Sequence, residues 1–471
     1  MLRKPDHVVV LGGGIAGLTT GLELLRRGYR ITLIERANRV GGLARTFVHD
    51  GYRFDIGGHR FHSDDPTLVI WLRDLLGDDL LRVQRHSRIW LSNRFVDYPL
   101  QFPNALRVFT PTQMVRILAS YAAAMVRTGL DGKGPDRSFE DWVVRRFGRA
   151  LYDVYFKPYT EKVWGIPCSE LSADWAAQRI SLPNLSETIR RTLYPGRNPP
   201  KTLVSEFWYP RLGFGMIPDR VAAEIERLGG RIITGATVSR VRPLGHRGER
   251  GFEIAYQRNH QEQTVRGNWV VSSIPLTVLL DAIPPQLGSQ EIASRFRLDY
   301  RGIICLYLAV DLPRVSPDSW TYFPQPELLF GRTHEPRNWS PDMVPPGRTS
   351  LAVEIFTSHG EPAWELSDDE LVDRATREME AIGFLHRSSV RGAWVVRVRH
   401  AYPVYDIGYA DRLQRVKEFL SRWPQLHLVG RTGSFRYMNA DGVIEDAFAL
   451  VDYITGQARR RPDVMASYRV V

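Results

Sequence analysis

The chain of 471 residues has few cysteines, few lysines and no long apolar run. Its two cysteines, Cys168 and Cys305, are too few for a disulfide framework or a cysteine-based metal site, and the CxxC and HExxH motifs are absent. No stretch of about 18 apolar residues is available to span a membrane, and the N-terminus lacks the organisation of a signal peptide. We therefore predict a cytoplasmic protein without an integral membrane segment and without a metal site.

Positive charge is abundant, and nearly all of it comes from arginine. The sequence has 63 Lys and Arg residues against 52 Asp and Glu, a formal net charge of +11, and only 6 of the basic residues are lysines. This balance is compatible with nucleic acid, a membrane surface or an acidic small molecule. Because the arginines are scattered and form no single stripe, we predict no nucleic-acid partner. The pattern favours a solvated basic surface together with an anionic ligand.

The distribution of apolar residues predicts an α/β protein. The N-terminal segment has the pattern of a strand at His7–Leu11, a helix at Leu18–Arg27 and a strand at Arg30–Glu35. A mainly helical pattern follows from about residue 65 to residue 191, with one of its helices predicted at Phe139–Phe147. A series of strands comes next, the first of them at Arg231–Ile233, and the later ones are separated by proline-rich turns. A last strand, a Gly-Arg loop and a helix at Val443–Tyr453 close the chain.

A glycine-rich turn joins the first predicted strand to the first predicted helix. Gly12 permits a tight turn, Gly14 lets the backbone approach a pyrophosphate, and Gly17 lets helix and strand pack closely. The helix N-terminus offers free amide groups to phosphates, and a carboxylate at the end of the second strand can accept hydrogen bonds from ribose hydroxyls. These features predict a dinucleotide site with contacts at Gly12, Gly14, Ile15, Ala16, Gly17 and Glu35.

A second glycine loop, Gly41-Gly42-Leu43-Ala44-Arg45-Thr46, follows soon after Glu35. It resembles the loop that runs beside the flavin phosphates in the superfamily of amine oxidases, protoporphyrinogen oxidases and phytoene desaturases. The resemblance implies FAD as the cofactor, and it implies that the C-terminal strand, Gly-Arg loop and helix return to the flavin ring. Further cofactor contacts are then expected at Arg36, Gly42, Leu43, Val238, Gly430, Arg431, Asn439, Asp441, Gly442 and Val443.

Two motifs resemble those of the UDP-galactopyranose mutases within this superfamily. They are Gly57-Gly58-His59-Arg60-Phe61-His62-Ser63 and Tyr159-Thr160-Glu161-Lys162-Val163-Trp164-Gly165. The resemblance implies that His59 and Arg60 lie by the flavin, and that His59 or His62 assists proton transfer between sugar hydroxyls. It also implies that Tyr159 stacks on uracil and that Trp164 lines the sugar pocket. From the residues alone, the histidines fit a helix surface equally well and the aromatic pair fits a buried core.

Downstream arginines and tyrosines extend the resemblance. Arg332 matches the family arginine that grips the substrate diphosphate, Arg431 matches the one by the isoalloxazine, and Arg179 falls near the mobile-loop arginine. An arginine fork pairs bidentately with phosphate oxygens, and tyrosine hydroxyls add neutral donors. Taken singly, each arginine fits a surface position equally well. The implied substrate contacts are Tyr155, Tyr159, Trp164, Arg179, Arg332, Tyr402 and Tyr437.

The resemblance implies a redox-neutral mutase that interconverts the pyranose and furanose forms of a nucleotide sugar. N5 of reduced FAD is then the nucleophile, so no protein nucleophile is required. The expected catalytic residues are His59, His62, Arg332 and Arg431. The chain departs from the family at Asn439, where an acid is common, and it has no evident counterpart of a further substrate tyrosine between Trp164 and Gly213. These departures leave the identity of the sugar open.

Two other functions stay open at this point. One is an FAD-dependent oxidoreductase of the protoporphyrinogen oxidase, amine oxidase or phytoene desaturase type, which would have a mainly apolar pocket. The other is a non-enzymatic protein stabilised by FAD. The set of Arg332, Tyr402 and Tyr437 favours the mutase, because convergent phosphate donors have no role in removing hydride from a neutral substrate.

The predicted fold is therefore a Rossmann-type FAD-binding domain with an inserted helical domain and an antiparallel β-sheet substrate domain. The FAD-binding domain is expected at residues 1–64, 201–290 and 406–471, the mainly helical domain at 65–200, and the sheet domain at 291–405. The sequence carries no signal for an oligomeric state.

Overall fold

A five-stranded parallel sheet, here called the nucleotide sheet, organises the N-terminal and C-terminal parts of the protein. The structure is a computed structural model that describes residues 6–98, 108–130, 134–180, 205–245 and 247–458, with residues 129, 130, 178 and 179 described by their backbone only. All neighbouring strands of the sheet pair in parallel. Their order is Leu426–Leu428, Trp269–Ser272, His7–Leu11, Arg30–Ile34 and Arg231–Ile233.

Both faces of the nucleotide sheet are buried, as the continuous apolar strands predict. Val8 and Val10 point to one face, which is covered by the helices Ile15–Arg26, Met216–Arg227 and Ala440–Ile454. Val9 and Leu11 point to the other face and pack with residues of the antiparallel strands of residues 237–267 and of the following helix. The predicted Rossmann-type fold is confirmed.

A second, seven-stranded sheet, here called the large sheet, forms the middle of the molecule. Its neighbouring strands are antiparallel except for one parallel pair, Trp320–Tyr322 with Ser87–Leu91. The strand order is Val390–Pro403, Tyr300–Val310, Thr349–Ile355, Arg332–His334, Trp320–Tyr322, Ser87–Leu91 and Arg94–Asp97. The predicted antiparallel sheet is therefore present.

Side-chain alternation gives the large sheet two different faces. Leu306, Val353 and Ile355 lie on one face and pack with apolar residues of the helix Asp368–Ala381. The opposite face carries Tyr307 and joins a core that includes residues of the nucleotide-binding part of the chain. This opposite face, turned toward the nucleotide sheet, also carries Arg332, His334 and Glu354, because side chains alternate between the two faces along each strand.

The segment predicted to be mainly helical also contains three strands, which is a correction. The helices are present, and the predicted helix Phe139–Phe147 has the predicted bounds. The missed strands are Leu80–Gln84, Ser87–Leu91 and Arg94–Asp97. Leu80–Gln84 pairs with the distant strand Glu206–Pro210, so local periodicity could not reveal it. Ser87–Leu91 and Arg94–Asp97 pair with each other in a hairpin, and Ser87–Leu91 also pairs with Trp320–Tyr322. The helices of this segment are Pro66–Leu76, Pro111–Leu130, Phe139–Phe147, Arg149–Leu151, Lys157–Trp164 and Ala173–Arg179, with a π-helical turn at Tyr152–Phe156.

The remaining elements lie outside the nucleotide sheet and the large sheet. The predicted Gly-Arg loop is a short helix, Gly430–Gly433, which is a second correction. The other strands are Thr46–His49, Tyr52–Asp55, Glu206–Pro210, Thr237–Pro243, Phe252–Arg258 and Gln261–Gly267. The other α-helices are Leu276–Ala282, Ser289–Arg295, Pro362–Glu365 and Tyr409–Leu420. Among the residues that the structure describes, no helix has both the length and the apolar character needed to cross a membrane.

Asp55 joins the hairpin of residues 46–55 to the chain that enters the helix Met216–Arg227. The hydroxyls of Thr46 and Tyr209 each donate to its carboxyl at 2.6 Å, and the amide of Phe214 donates at 3.1 Å. Burial raises the pKa of Asp55 to about 6, and these donors only partly oppose the effect of burial. The fold therefore contains a buried carboxyl that ionises at a higher pH than an exposed one.

We expect Asp55→Asn to change how stability depends on pH. Because the pKa is higher in the folded protein than in the unfolded chain, the wild type loses stability relative to the variant as pH rises from about 4 to about 6, by about 3 kcal/mol in all. Thermal unfolding over this pH range measures the difference. Asp281→Asn, at an exposed helix position, is the control and should follow the wild type. Identical pH profiles for Asp55→Asn and wild type would contradict the prediction.

Candidate active site

Three glycine-containing segments, predicted separately to bind a cofactor, meet at the end of the nucleotide sheet. The amide of Gly41 donates to the carbonyl of Gly13 at 2.7 Å, which joins the second glycine loop to the first. A Cβ on Gly430 would lie 2.5 Å from the Cβ of Ala16, so the C-terminal segment also approaches the first turn closely. A Cβ on Gly17 would clash with the carbonyl oxygen of Gly12. The close contacts explain why these positions are glycine.

The first turn fits the phosphates of a dinucleotide. The helix Ile15–Arg26 has no side chain capping its first amides, and a Cβ on Gly14 would meet no atom within 4 Å. Open space over uncapped amides at a helix N-terminus is a favourable place for anionic oxygens. The Glu35 carboxylate stands beside this turn and accepts hydrogen bonds from the amides of Gly13 at 2.7 Å and Ala37 at 2.8 Å.

The other expected cofactor residues lie on elements that reach the same region. The amide of Ala236 donates to the carbonyl of Glu35 at 2.9 Å, which brings the strand that contains Val238 alongside. Gly42 lies against Gly14, since its Cβ would be 3.2 Å from the Gly14 Cα. Leu43 follows in the same turn, Arg36 is exposed, and Asn439, Asp441, Gly442 and Val443 lie at the start of the helix Ala440–Ile454. Their contacts with a cofactor stay predictions.

Arg332 forms a buried ion pair that sequence reasoning missed. In the register of the large sheet Arg332 stands directly opposite Glu354, and its Nε and Nη2 donate to the two carboxylate oxygens at 2.9 and 2.5 Å. The amide of Gly58 donates to the same carboxylate at 3.2 Å, so Glu354 also holds the glycine-histidine loop. The available signal was a single acidic residue within the apolar strand Thr349–Ile355.

The charge balance around this pair is positive. Burial, together with the charges of Arg431 and Arg332, lowers the pKa of His59 to about 3. Burial and Arg332 likewise lower the pKa of His334 to about 3. Both histidines are therefore neutral near pH 7. The charged groups that remain are the guanidinium groups of Arg332 and Arg431 and the carboxylate of Glu354. The group carries a net positive charge next to aromatic side chains.

Arg431 lies against the two tyrosines that were expected to contact the substrate. Its guanidinium carbon is 5.4 Å from the Tyr402 ring centroid and 5.2 Å from that of Tyr437, and the two rings stack at 6.0 Å. Its Nε donates to the carbonyl of Met438 at 2.8 Å, which fixes the direction of the side chain. Cation–π contact stabilises a guanidinium in such a place.

Tryptophans and further tyrosines enclose the same region. Trp164 contacts Trp175 with ring centroids 4.6 Å apart, and Trp175 contacts Tyr437 at 4.8 Å. Tyr159 contacts Tyr322 at 5.6 Å, and burial raises the pKa of its hydroxyl although the nearby Arg332 charge lowers it. Sequence reasoning missed Trp175 and Tyr322, since isolated aromatic residues are common in cores. The structure thus brings together Arg332, Arg431, His59, Tyr159, Trp164, Tyr402 and Tyr437.

Three further expected residues have other surroundings, and the side chain of a fourth is not described. The His62 imidazole is 3.7 Å from the Asp64 carboxylate, and its side chain is 36% exposed. The Arg60 guanidinium lies 5.6 Å from the Trp320 ring, and the Tyr155 ring lies 5.1 Å from that of Phe156. The side chain of Arg179 lies outside the part of the chain that the structure describes. Their roles stay predictions. Within the described ranges, no group of three or more His, Cys, Asp or Glu is arranged to hold a metal ion.

Comparison with known proteins identifies the family. The flavin-containing amine oxidoreductase family matches residues 15–454. The chain belongs to this family. Membership implies a flavin cofactor, which agrees with the open space over the uncapped amides of the first turn. The chain is therefore an enzyme of a flavin-dependent oxidoreductase superfamily.

Relatives of two activities resemble the chain. The probable UDP-galactopyranose mutase of Klebsiella pneumoniae is 24% identical over 171 residues, which are 36% of this chain and 43% of that protein. The chain thus spans less than half the length of that relative. The phytoene desaturase of Phycomyces blakesleeanus is 40% identical over 423 residues, 80% of this chain and 70% of that protein. A crystal structure of reduced UDP-galactopyranose mutase superposes with a TM-score of 0.84 at 24% identity and covers 99% of this chain and 98% of that one, which shows the shared fold.

We expect Gly17→Ala to impair flavin retention. The added Cβ would clash with the Gly12 carbonyl and move the turn away from the helix N-terminus. The bound flavin per protein, measured by absorbance after gel filtration, should fall about tenfold. Gly21→Ala on the same helix is the matched control, because its Cβ would meet Ile31 at an ordinary 3.5 Å. Equal flavin content in the two variants would refute this assignment.

Glu354→Gln should destabilise the protein, because it leaves the Arg332 guanidinium buried without its counter-charge. We expect a loss of about 3 kcal/mol in the free energy of unfolding. Denaturant unfolding of the flavin-bound protein measures this loss. The double variant Arg332→Met with Glu354→Met removes both charges and should recover part of it. A single variant as stable as wild type would show that the pair is not needed.

Proposed function

We propose that the protein is an FAD-dependent mutase that interconverts the pyranose and furanose forms of a nucleotide sugar. The observation that carries the proposal is the half-buried site with two arginines, one buried carboxylate and stacked tyrosines. Neutral histidines add no charge to it. A partly buried positive charge favours an anion as its partner, and a diphosphate supplies one.

FAD is the proposed form of the flavin. The uncapped amides and the open space at Gly14 suit a pyrophosphate, and Glu35 at the strand end suits the hydroxyls of an adenosine ribose. Arg431, on the short helix against Ala16, is the proposed neighbour of the flavin ring. When bound in its reduced form, the flavin supplies the nucleophilic atom that the side chains of the site do not.

The proposed donors to the diphosphate are side chains of two arginines and two tyrosines. Nε and Nη2 of Arg332 donate hydrogen bonds to Glu354, and within the described residues its Nη1 has no hydrogen-bond partner. The two η nitrogens of Arg431 likewise have none among the described residues, and the Tyr402 and Tyr437 hydroxyls lie close by. Guanidinium and phenol donors together suit phosphate oxygens. Tyr159 and Trp164 are the proposed contacts of the uracil and the sugar.

His59 is assigned a ligand-binding role and not that of a base. Its pKa of about 3 makes it too weakly basic to remove a proton efficiently near neutral pH. Its Nδ1 is buried and makes no hydrogen bond among the described residues, so it is available to a sugar hydroxyl or to the cofactor. This revises the expectation that the histidine transfers protons.

A second candidate is an oxidoreductase of the phytoene desaturase type. The 40% identity to the Phycomyces protein favours it. A neutral polyene would leave the positive charge of the site without an anion, so the site electrostatics favour the mutase. The two candidates predict different ligands for the same pocket.

Anaerobic reduction with dithionite, followed by addition of UDP-galactose, tests the mutase. With the reduced protein, we expect chromatography to detect interconversion of the pyranose and furanose forms of UDP-galactose. We also expect borohydride to trap an adduct of the sugar and the flavin. Arg332→Met should weaken UDP-galactose binding about tenfold while flavin content stays normal. Arg348→Met, at an exposed position, is the control. Flavin reduction by a polyene or an amine, with no conversion across a panel of nucleotide sugars, would refute the proposal.

A further inference from the structure

Lys162 holds a loop that flanks the site. Its Nζ donates to the backbone carbonyls of Phe323 at 3.1 Å, Gln325 at 2.7 Å and Phe330 at 2.6 Å. Residues 323–331, here called the carbonyl loop, connect the strand that ends at Tyr322 to the strand that begins at Arg332. An ammonium group has three donors, so this one cation uses all of them on a single loop.

The carbonyl loop has a few other hydrogen bonds, among them one from the Gly331 amide to the carbonyl of Glu354 at 2.9 Å. It contains no helix or strand, although several of its residues are buried. The amide of Leu329 donates to Glu378 at 2.6 Å, and the amide of Phe323 donates to the carbonyl of Gly331 at 2.9 Å. Buried carbonyls without a partner are costly, so Lys162 satisfies groups that no neighbouring strand reaches.

The same lysine lies on the helix that carries two site residues. Tyr159 and Trp164 belong to the helix Lys157–Trp164, and the carbonyl loop leads directly to Arg332. A contact between this helix and the carbonyl loop therefore sets the distance between the rings of Tyr159 and Trp164 and the guanidinium of Arg332. Gly331 approaches closely as well, because a Cβ there would lie 2.7 Å from the Phe356 ring.

The helix itself is fixed at its C-terminus by another cation. The Arg301 guanidinium fills the space over Gly165, donates through Nε to the carbonyl of Val163 at 3.0 Å and through Nη2 to that of Phe356 at 2.7 Å. The helix end is thus tied to the large sheet without Lys162. A change at Lys162 should therefore release the carbonyl loop and leave the helix in place.

We propose that Lys162 is a positioning residue for Arg332, which it holds toward Tyr159 and Trp164 through the three carbonyls of the carbonyl loop. That the arginine binds a nucleotide-sugar diphosphate rests on the proposed function. The lysine itself contacts neither ligand nor cofactor in this assignment. Its effect on the site is transmitted by backbone geometry.

The charge on Lys162 is sensitive to pH in the neutral range. Burial lowers its pKa to about 7, the nearby acids Glu378 and Glu327 raise it, and Arg374 lowers it. Glu378 and Arg374 belong to the helix Asp368–Ala381, and Glu327 belongs to the carbonyl loop. Above the pKa the neutral amine keeps only two donors and loses charge-assisted bonding. The loop should therefore be held best below about pH 7.

Hydrogen–deuterium exchange of the flavin-bound protein tests the contact without any substrate. Lys162→Met should speed exchange of peptides covering residues 320–334 about tenfold, with no change in the helix Lys157–Trp164. Lys157→Met, an exposed lysine on the same helix, is the matched control and should behave as wild type. Unchanged exchange in residues 320–334 would overturn the proposal.

Ligand binding tests the consequence for Arg332. UDP-galactose affinity measured by calorimetry should fall about tenfold in Lys162→Met at normal flavin content, and Lys162→Arg should restore it. Wild-type affinity should decline as pH rises above about 7, whereas Lys162→Arg should show no such decline because arginine stays charged. Undiminished affinity in Lys162→Met, or a pH profile that Lys162→Arg shares with wild type, would refute the proposal. If wild type binds no nucleotide sugar, the proposed function fails, and the exchange experiment still decides the role of Lys162.

Discussion

The cross-strand pair of Arg332 and Glu354 is the contact on which the arrangement of the site depends. Glu354 is almost wholly buried and accepts hydrogen bonds from the Arg332 guanidinium and from the amide of Gly58. One carboxylate thus joins the large sheet to the loop that carries His59. Removing either charge would leave the other buried, so the pair restricts how far these two parts can move apart.

The remaining charge and the aromatic side chains define what this region can bind. Glu354 is paired with Arg332, so the charge of Arg431 has no carboxylate partner among these site residues, and its guanidinium lies against Tyr402 and Tyr437. Burial and the arginine charges keep His59 and His334 neutral. An anionic ligand with flat or apolar parts is complementary to such a surface. The family contains proteins that act on very different substrates on one fold, so the chemistry of this site carries the functional argument.

Much of the fold followed from local pattern, and an exception shows where local pattern fails. The helix Phe139–Phe147 and the strand Arg231–Ile233 have the bounds that periodicity predicts, because an amphipathic repeat is a local property. The strand Leu80–Gln84 was missed because its partner, Glu206–Pro210, is more than 100 residues away along the chain. Short strands gain their stability from such distant pairing and carry little local signal.

Glycine spacing and the acid after the second strand were sufficient to infer a dinucleotide fold, and the resemblance to the UDP-galactopyranose mutases implied most of the side chains that meet in the site. Those signals are local, because each depends on the backbone geometry of one turn or on the chemistry of one residue. The partner of Arg332 follows only from strand register, which places Glu354 opposite it. The role of Lys162 depends on carbonyls more than 160 residues away, a relation that exists only once the chain has folded.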